Sequence, residues 1–315
     1  MTSKFCIQVD QVVKSFGKTK AVQGLDLSVP QGSLCGFLGP NGAGKSTTIR
    51  MLMSIIRPDS GNISVLGGDA ISHKDRIGYL PEERGVYRKM RVGEFLRFIA
   101  RLKGLPGKGL DTRIKGWLER IELSDSFRSR CEELSKGMQQ KVQFLASVIH
   151  EPELIILDEP FSGLDPVNAM LLNKIITELH EEGKTIVFST HVLHQAEKMC
   201  DRIILFDQGQ KILDDSLENI RSRFNPHTIA IDPIQDPNTS LIQARGVSGV
   251  RSADLDVNNI IHLKLVDSYD PAVVMRDVLE TLPVRSIERG RATLDEVFVK
   301  LVGEPTSSDV EVSNV

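Results

Sequence analysis

Gly39-Pro-Asn-Gly-Ala-Gly-Lys-Ser46 decides how this chain is read. It fits G-x-x-x-x-G-K-[ST], the phosphate-binding loop. The apolar run Leu34-Cys-Gly-Phe-Leu38 precedes it and reads as a buried strand. Thr47-Thr-Ile-Arg-Met-Leu-Met-Ser54 follows and reads as a helix. Strand, loop and helix are the context that gives the pattern physical content. Glycines let the backbone curl so that its N–H groups converge, and the helix start adds a positive dipole end. The segment Gly39, Pro40, Asn41, Gly42, Ala43, Gly44, Lys45, Ser46 and Thr47 is therefore expected to cradle phosphates. Lys45 would reach the β- and γ-phosphates, and the Ser46 hydroxyl would face a Mg²⁺ ion.

Working outward, 315 residues allow one large domain and a smaller one. With 40% hydrophobic and 26% charged residues, the composition is that of an ordinary soluble globular chain. A net charge of −3 gives no global electrostatic case for nucleic acid. No apolar run approaches the roughly 18 residues of a membrane-spanning helix, and the N-terminus lacks a signal-peptide core. Cys6, Cys35, Cys131 and Cys200 show no metal or redox spacing. The cytosol is the expected compartment, and membrane contact would come through a partner.

The pattern up to about residue 225 is α/β. Residues 5–16 and 22–29 alternate like strands, as do Ile63–Leu66 and Ile77–Leu80. From about 90 to 150 the spacing turns helical, as in Phe95, Leu96, Ile99 and Leu102, and predicts an inserted helical subdomain. Alternation resumes with Leu154–Leu157, a helix over 166–182, a strand at 184–189, a helix at 192–199 and a strand at 203–206. This predicts a mostly parallel sheet with helices on both faces. Residues 226–304 read as a small α+β appendage. Strands are expected at 228–232, 260–265 and 284–287, and helices at 270–281 and 293–302. Residues 236–256 read as polar and loop-rich. Residues 305–315 are polar, acidic and aperiodic, as expected of a disordered tail.

Leu154-Ile-Ile-Leu-Asp-Glu159 is a buried strand ending in two carboxylates. Ionised groups at a core edge need partners; a strand end emerging into solvent is the alternative. Nucleotide with Mg²⁺ would supply partners, Asp158 holding the metal and Glu159 polarising the attacking water as base or positioner.

Together these segments resemble the nucleotide-binding subunit of ABC transporters, over about residues 5–224. Leu134-Ser-Lys-Gly-Met-Gln-Gln140 is similar to that family's signature, Ser162-Gly-Leu-Asp-Pro166 to its D-loop, and His191 to its switch histidine. The resemblance implies a P-loop NTPase core binding ATP and Mg²⁺, with Phe16 stacking on adenine and His191 sensing the γ-phosphate. It implies that Ser135, Gly137 and Asp165 complete the site of a second copy, so that two chains enclose two ATP molecules. It further implies a separate transmembrane permease, export as the direction, and a location at the cytoplasmic face of the membrane. The end of the chain, Ala292–Val302, resembles that of cassettes serving ABC-2-type permeases.

Two positions depart from the family pattern. Glu82, in Ile77-Gly-Tyr-Leu-Pro-Glu82, stands where Gln is usual and so becomes a candidate metal ligand with added negative charge. Lys136 replaces the first Gly of the signature pair. The basic residues Arg84, Arg88, Lys89, Arg91, Arg97, Arg101 and Lys103 form either a solvated helix face, the surface that receives the permease, or a membrane-attracted patch. The chief rival is a non-transport ABC ATPase acting on nucleic acid or ribosomes. One copy of each motif and the absence of sustained heptads disfavour it. A P-loop kinase, the second rival, leaves the signature segment unexplained.

Overall fold

The computed structural model describes residues 4–83, 85–224 and 227–303. The chain divides into two compact units after Leu217. Arg84, Asn225, Pro226 and the expected disordered tail lie outside the described residues.

The first unit opens with a hairpin, β1 (Phe5–Phe16) and β2 (Thr19–Pro30). The next strand, β3 (Leu34–Leu38), is buried along its whole length and leads through the glycine-rich loop into α1 (Lys45–Leu52). Then come β4 (Ser60–Val65) and β5 (Ile77–Leu80). The helical block is α2 (Val92–Leu102), α3 (Leu110–Arg120) and α4 (Lys136–Val148). Its buried stripes, Val92, Leu96 and Ala100 against Ile114, Leu118, Val142 and Leu145, recur at the three-to-four-residue spacing of a helix face. Alternation returns with β6 (Leu154–Asp158), α5 (Pro166–Glu181), β7 (Thr185–Thr190), α6 (Leu193–Met199), β8 (Arg202–Asp207) and β9 (Gln210–Ser216).

Two sheets result. An antiparallel one runs β2-β1-β4, and a second runs β5-β6-β7-β3-β8-β9. Every pairing in the second sheet is parallel except β8 with β9. The strands β3, β6 and β7 read LCGFL, LIILD and TIVFST and have no exposed residue, as parallel strands covered on both faces require. Ile7, Leu25, Leu27, Phe37, Ile49 and Phe206 share one core cluster. Burying each such side chain is worth about 1.5–3 kcal/mol. All four cysteines are buried free thiols.

A helix absent from the sequence reading, α7 (Leu217–Arg223), spans the division. The second unit continues as β10 (Thr228–Pro233), α8 (Pro237–Arg245), β11 (Val250–Leu255), β12 (Ile261–Leu265), α9 (Pro271–Thr281), β13 (Val284–Arg289) and α10 (Leu294–Gly303). Its antiparallel sheet has the order β11-β12-β10-β13. This is a βαββαβ arrangement, a split βαβ sheet. Ile229, Ile231, Ile261 and Leu263 alternate inward and meet Ala244, Val274 and Val278.

The loop-rich reading of 236–256 is corrected by α8 and β11. Only Ser240 and Ala244 of α8 are buried, so no apolar stripe announces the helix. It starts instead from its cap: Asp236 accepts the Thr239 N–H at 2.8 Å, with Pro237 in the first turn. Among the described residues no helix is long and apolar enough to cross a membrane.

Candidate functional site

The parallel sheet brings three strand ends side by side. β6 pairs with β7, and β7 with β3, so Asp158 lies opposite Ser189 while Leu38, at the mouth of the glycine-rich loop, lies opposite Thr190. Residues far apart in sequence therefore share one edge, the carboxyl end of the parallel strands, where α/β sheets bind ligands.

A cavity of about 230 Å³ opens there, lined by Asn41, Gly42, Gly44, Lys45, Ser46, Thr47 and, from other segments, Ala21, Glu82 and Glu159. The loop is held tightly. Gly44 has φ +102°, and a Cβ there would stand 2.5 Å from the Ala21 carbonyl oxygen, so both conformation and space demand glycine. Lys45 is 5% exposed, and its Nζ donates to the carbonyls of Gly39 at 2.7 Å and Pro40 at 3.0 Å. Burial lowers its pKa, while Glu159, Asp158 and Glu82 act in the opposite direction.

Asp158 is 1% exposed and shares one oxygen between two hydroxyls. Ser46 Oγ donates to its Oδ1 at 3.1 Å, and Ser189 Oγ donates to the same atom at 2.5 Å. Ser189 Oγ also accepts the Glu159 N–H at 3.0 Å. Glu159 follows with φ +49°, a left-handed conformation that costs a non-glycine residue of order 1 kcal/mol or more. His191 Nδ1 lies 2.9 Å from Glu159 Oε1. The histidine side chain is 52% exposed and that of Glu159 only 12%.

The donor set fits a hard divalent cation. A serine hydroxyl and a carboxylate lie within hydrogen-bond reach of each other, and Mg²⁺ is commonly held by one or two protein oxygens, with water and phosphate completing its shell. Among the described residues no cluster of three or more His, Cys, Asp or Glu side chains could hold a metal unaided. The residues and loop also fit a polyphosphate: a buried lysine at the start of an eight-residue helix, whose first N–H groups are suited to an anion.

Other predicted residues stand apart from this cavity. Phe16 ends β1 with 52% exposure, and Lys14 Nζ lies 5.5 Å from its ring centroid. Ser135 caps α4, accepting the Met138 N–H at 3.3 Å. Gly137 lies against Leu164, to which a Cβ there would approach within 3.6 Å. Asp165 caps α5, accepting the Asn168 N–H at 2.9 Å, with Pro166 in the first turn. None of Phe16, Ser135, Gly137 or Asp165 lines the phosphate-loop cavity.

Two members of the basic cluster are engaged within the chain. Lys103 Nζ donates to the carbonyls of Lys74 at 2.5 Å and Ile77 at 2.8 Å, and burial lowers its pKa. Arg97 pairs with Asp111 at 2.5 Å. Tyr87 and Phe98 stand exposed, with ring centroids 5.7 Å apart in an edge-on contact.

Sequence reasoning gave no role to Ser189 or Ala21. Ser189 ties Asp158 to Glu159, but only the register of β6 with β7 reveals it. Gln143 Nε2 donates to the carbonyls of Pro81 at 3.3 Å and Glu83 at 3.0 Å, and so holds the segment that carries Glu82 against α4.

Comparison with known proteins follows the same division. A family profile described as "ABC transporter" matches residues 22–162. A second, "ATP-binding protein DrrA1-3-like, C-terminal domain", matches 216–302. An uncharacterised ABC transporter ATP-binding protein of Bacillus subtilis, YhaQ, is 43% identical over 231 residues, 73% of this chain and 78% of that protein. The daunorubicin/doxorubicin resistance ATP-binding protein DrrA of Streptomyces peucetius is 32% identical over 307 residues, 95% of this chain and 93% of its own length. A solved structure, described as the ATP-binding subunit of an ABC transporter, superposes with a TM-score of 0.65 at 30% identity, covering 70% of this chain and 93% of that one.

Proposed function

This chain belongs to the ABC transporter family of ATP-binding proteins, and we propose that it works as a homodimer enclosing two Mg·ATP to drive export through a separate membrane permease. The family reading carries ATP binding and ATPase activity with it. What supports the two-chain site is a division of residues. The cavity gathers Lys45, Ser46, Glu82 and Glu159, while Ser135, Gly137 and Asp165 are not among its lining. On this reading the signature segment serves the nucleotide of a second copy.

Within the site, Lys45 would neutralise phosphate charge, and Ser46 with Asp158 would hold Mg²⁺, with Glu82 as a further candidate ligand. The ion would supply charge stabilisation on the phosphates. Glu159 would accept a proton from water at Oε1 or Oε2, with His191 fixing that carboxylate from the exposed side. Phe16, exposed at the end of β1, would offer its ring to the adenine. Hydrolysis on this plan is positioning and electrostatics rather than covalent chemistry.

Export is supported by two relatives with resistance in their names, DrrA and the linearmycin resistance protein LnrL of B. subtilis, the latter 30% identical over 309 residues. The exposed Tyr87 and Phe98, with Arg88 and Lys89 beside them, suit a permease segment bearing apolar and acidic side chains. That partner would place the chain at the cytoplasmic face of a membrane. The Glu159→Gln variant tests the dimer. It should bind ATP, fail to hydrolyse it, and elute at the dimer mass in Mg·ATP. A nucleotide-loaded monomer would overturn the two-chain site.

A further inference from the structure

We propose that the second unit carries a binding site for phosphate-bearing anions, at the turn from β13 into α10. A cavity of about 890 Å³ lies there, lined by Arg221 of α7, Arg289 and Arg291, with Glu288 as the one acid among its lining residues. Guanidinium groups stay charged at any physiological pH, so the turn itself carries two positive charges, Arg289 and Arg291, against one negative.

The two arginines of the turn are presented from a fixed backbone. Gly290 N–H donates to the Thr228 carbonyl at 2.7 Å. A Cβ at Gly290 would lie 1.9 Å from Thr228 Oγ1, so a larger residue there would have to turn the Thr228 side chain away. Arg289 and Arg291 flank this anchored point. Among the described residues, neither has an acidic partner within ion-pair distance. The same unit pairs other arginines: Arg285 with Asp232 at 2.9 Å and Arg251 with Asp267 at 3.7 Å, while Arg245 donates to the Ala253 carbonyl at 2.8 Å. The unit thus has acids to pair with arginine and leaves two guanidiniums facing one cavity without them. Clustered like charges repel, and a multiply charged anion offsets that cost while its oxygens accept from forked N–H donors. A phosphate group fits this chemistry, from a free phosphorylated compound or an anionic lipid headgroup.

The test uses the full chain with Lys45→Ala, which weakens the phosphate affinity of the glycine-rich loop, and reads the difference between this chain and its arginine variants. Titration calorimetry with inorganic pyrophosphate should show binding that Arg289→Gln/Arg291→Gln weakens at least about tenfold. Arg289→Lys/Arg291→Lys should fall between them, since charge is kept and the fork is lost. A second arm measures flotation on vesicles of equal phosphatidylglycerol and phosphatidylcholine. Flotation that needs both arginines assigns the headgroup, and pyrophosphate binding without flotation assigns a free phosphate compound. No binding in either arm, or binding indifferent to both arginines, overturns the proposal. In a chain that keeps Lys45, Arg289→Gln/Arg291→Gln should leave ATP hydrolysis intact, so failure here is separable from failure of the ATPase reading.

Discussion

The end of β6 and the end of β13 both present charged side chains at the edge of a sheet, and they treat them in opposite ways. At Asp158-Glu159 each carboxylate is committed: one to two serine hydroxyls, the other to His191. At Arg289-Gly290-Arg291 the backbone is pinned and the guanidiniums are left open. The difference lies in what each end must do. A hydrolytic site needs its acids held in place before substrate arrives, because orientation settled during the reaction raises the barrier. A recognition site gains from fixed anchors with free cationic heads, which settle on the ligand itself.

The largest effect should come from breaking the committed end. Glu159→Gln keeps size and removes the proton acceptor, so the ATPase rate should fall by about 10²- to 10⁴-fold with ATP affinity retained. Steady-state hydrolysis beside equilibrium nucleotide binding would read the two separately; a rate within a few-fold of the parent would remove Glu159 from its role.

Ser189→Ala sharpens the same end. It deletes the hydroxyl that joins Asp158 to the Glu159 backbone, without touching any residue of the loop. Supporting groups of this kind commonly matter by about 10- to 100-fold in metal affinity or activity. The Mg²⁺ dependence should shift while ATP binding without metal stays the same. An unaltered metal requirement would mean that the serine only fills space.

His150 probes the opposite, amino end of β6, where Ile77 of β5 pairs with Leu154. Its Nε2 faces the Ile77 carbonyl at 3.1 Å, and Nδ1 has no hydrogen-bond partner among the described residues. Burial first, then the nearby Lys103 charge, push its pKa down from 6.5 to about 4. With the folded pKa below the unfolded one, the unfolded chain binds the proton more tightly between those values. Stability is therefore full above about pH 6.5 and is lost as pH falls towards 4, by about 2 kcal/mol at pH 5. Denaturant melts of the parent and His150→Gln across that window should show the slope shrinking in the variant.

How far these two ends could be read from sequence follows from where their information lies. The Lys45 loop and the Asp158-Glu159 strand end are local: consecutive residues, a continuous apolar run and a helix start announce them. Ser189 is legible only through the β6–β7 register, a pairing no local pattern encodes. In the second unit, β10 and β12 alternate clearly, with Ile229, Ile231, Ile261 and Leu263 pointing inward. The β13 turn has no such pattern; Glu288-Arg289-Gly290-Arg291 reads as a solvated stretch until Thr228 is seen against Gly290. For α8, the Asp236 and Pro237 pair was the available signal, obscured by a face with two small buried residues. Short α7, seven residues long, lies below the window in which helical periodicity can be counted.

Glu82 joins the two themes, since it is a charge at the committed site that the family pattern does not require. It lines the cavity with Glu159 and acts on Lys45 in the same direction. A glutamine there could ligate a metal through oxygen and donate from nitrogen; a carboxylate only accepts, and it adds charge beside the cation. Metal should therefore be held more tightly by this chain than by its Glu82→Gln variant. Because Glu82 is exposed, solvent screens the effect to about 1 kcal/mol, roughly a fivefold change in affinity. Mn²⁺ binding followed by electron paramagnetic resonance, with a non-hydrolysable ATP analogue present, measures this without turnover, and the Mg²⁺ concentration for half-maximal hydrolysis should move the same way. Superimposable Mn²⁺ isotherms would show that Glu82 stands too far from the ion to act as a ligand. A shift that raised salt abolishes would assign the effect to field rather than coordination, because screening weakens a through-space charge far more than a direct metal–oxygen bond.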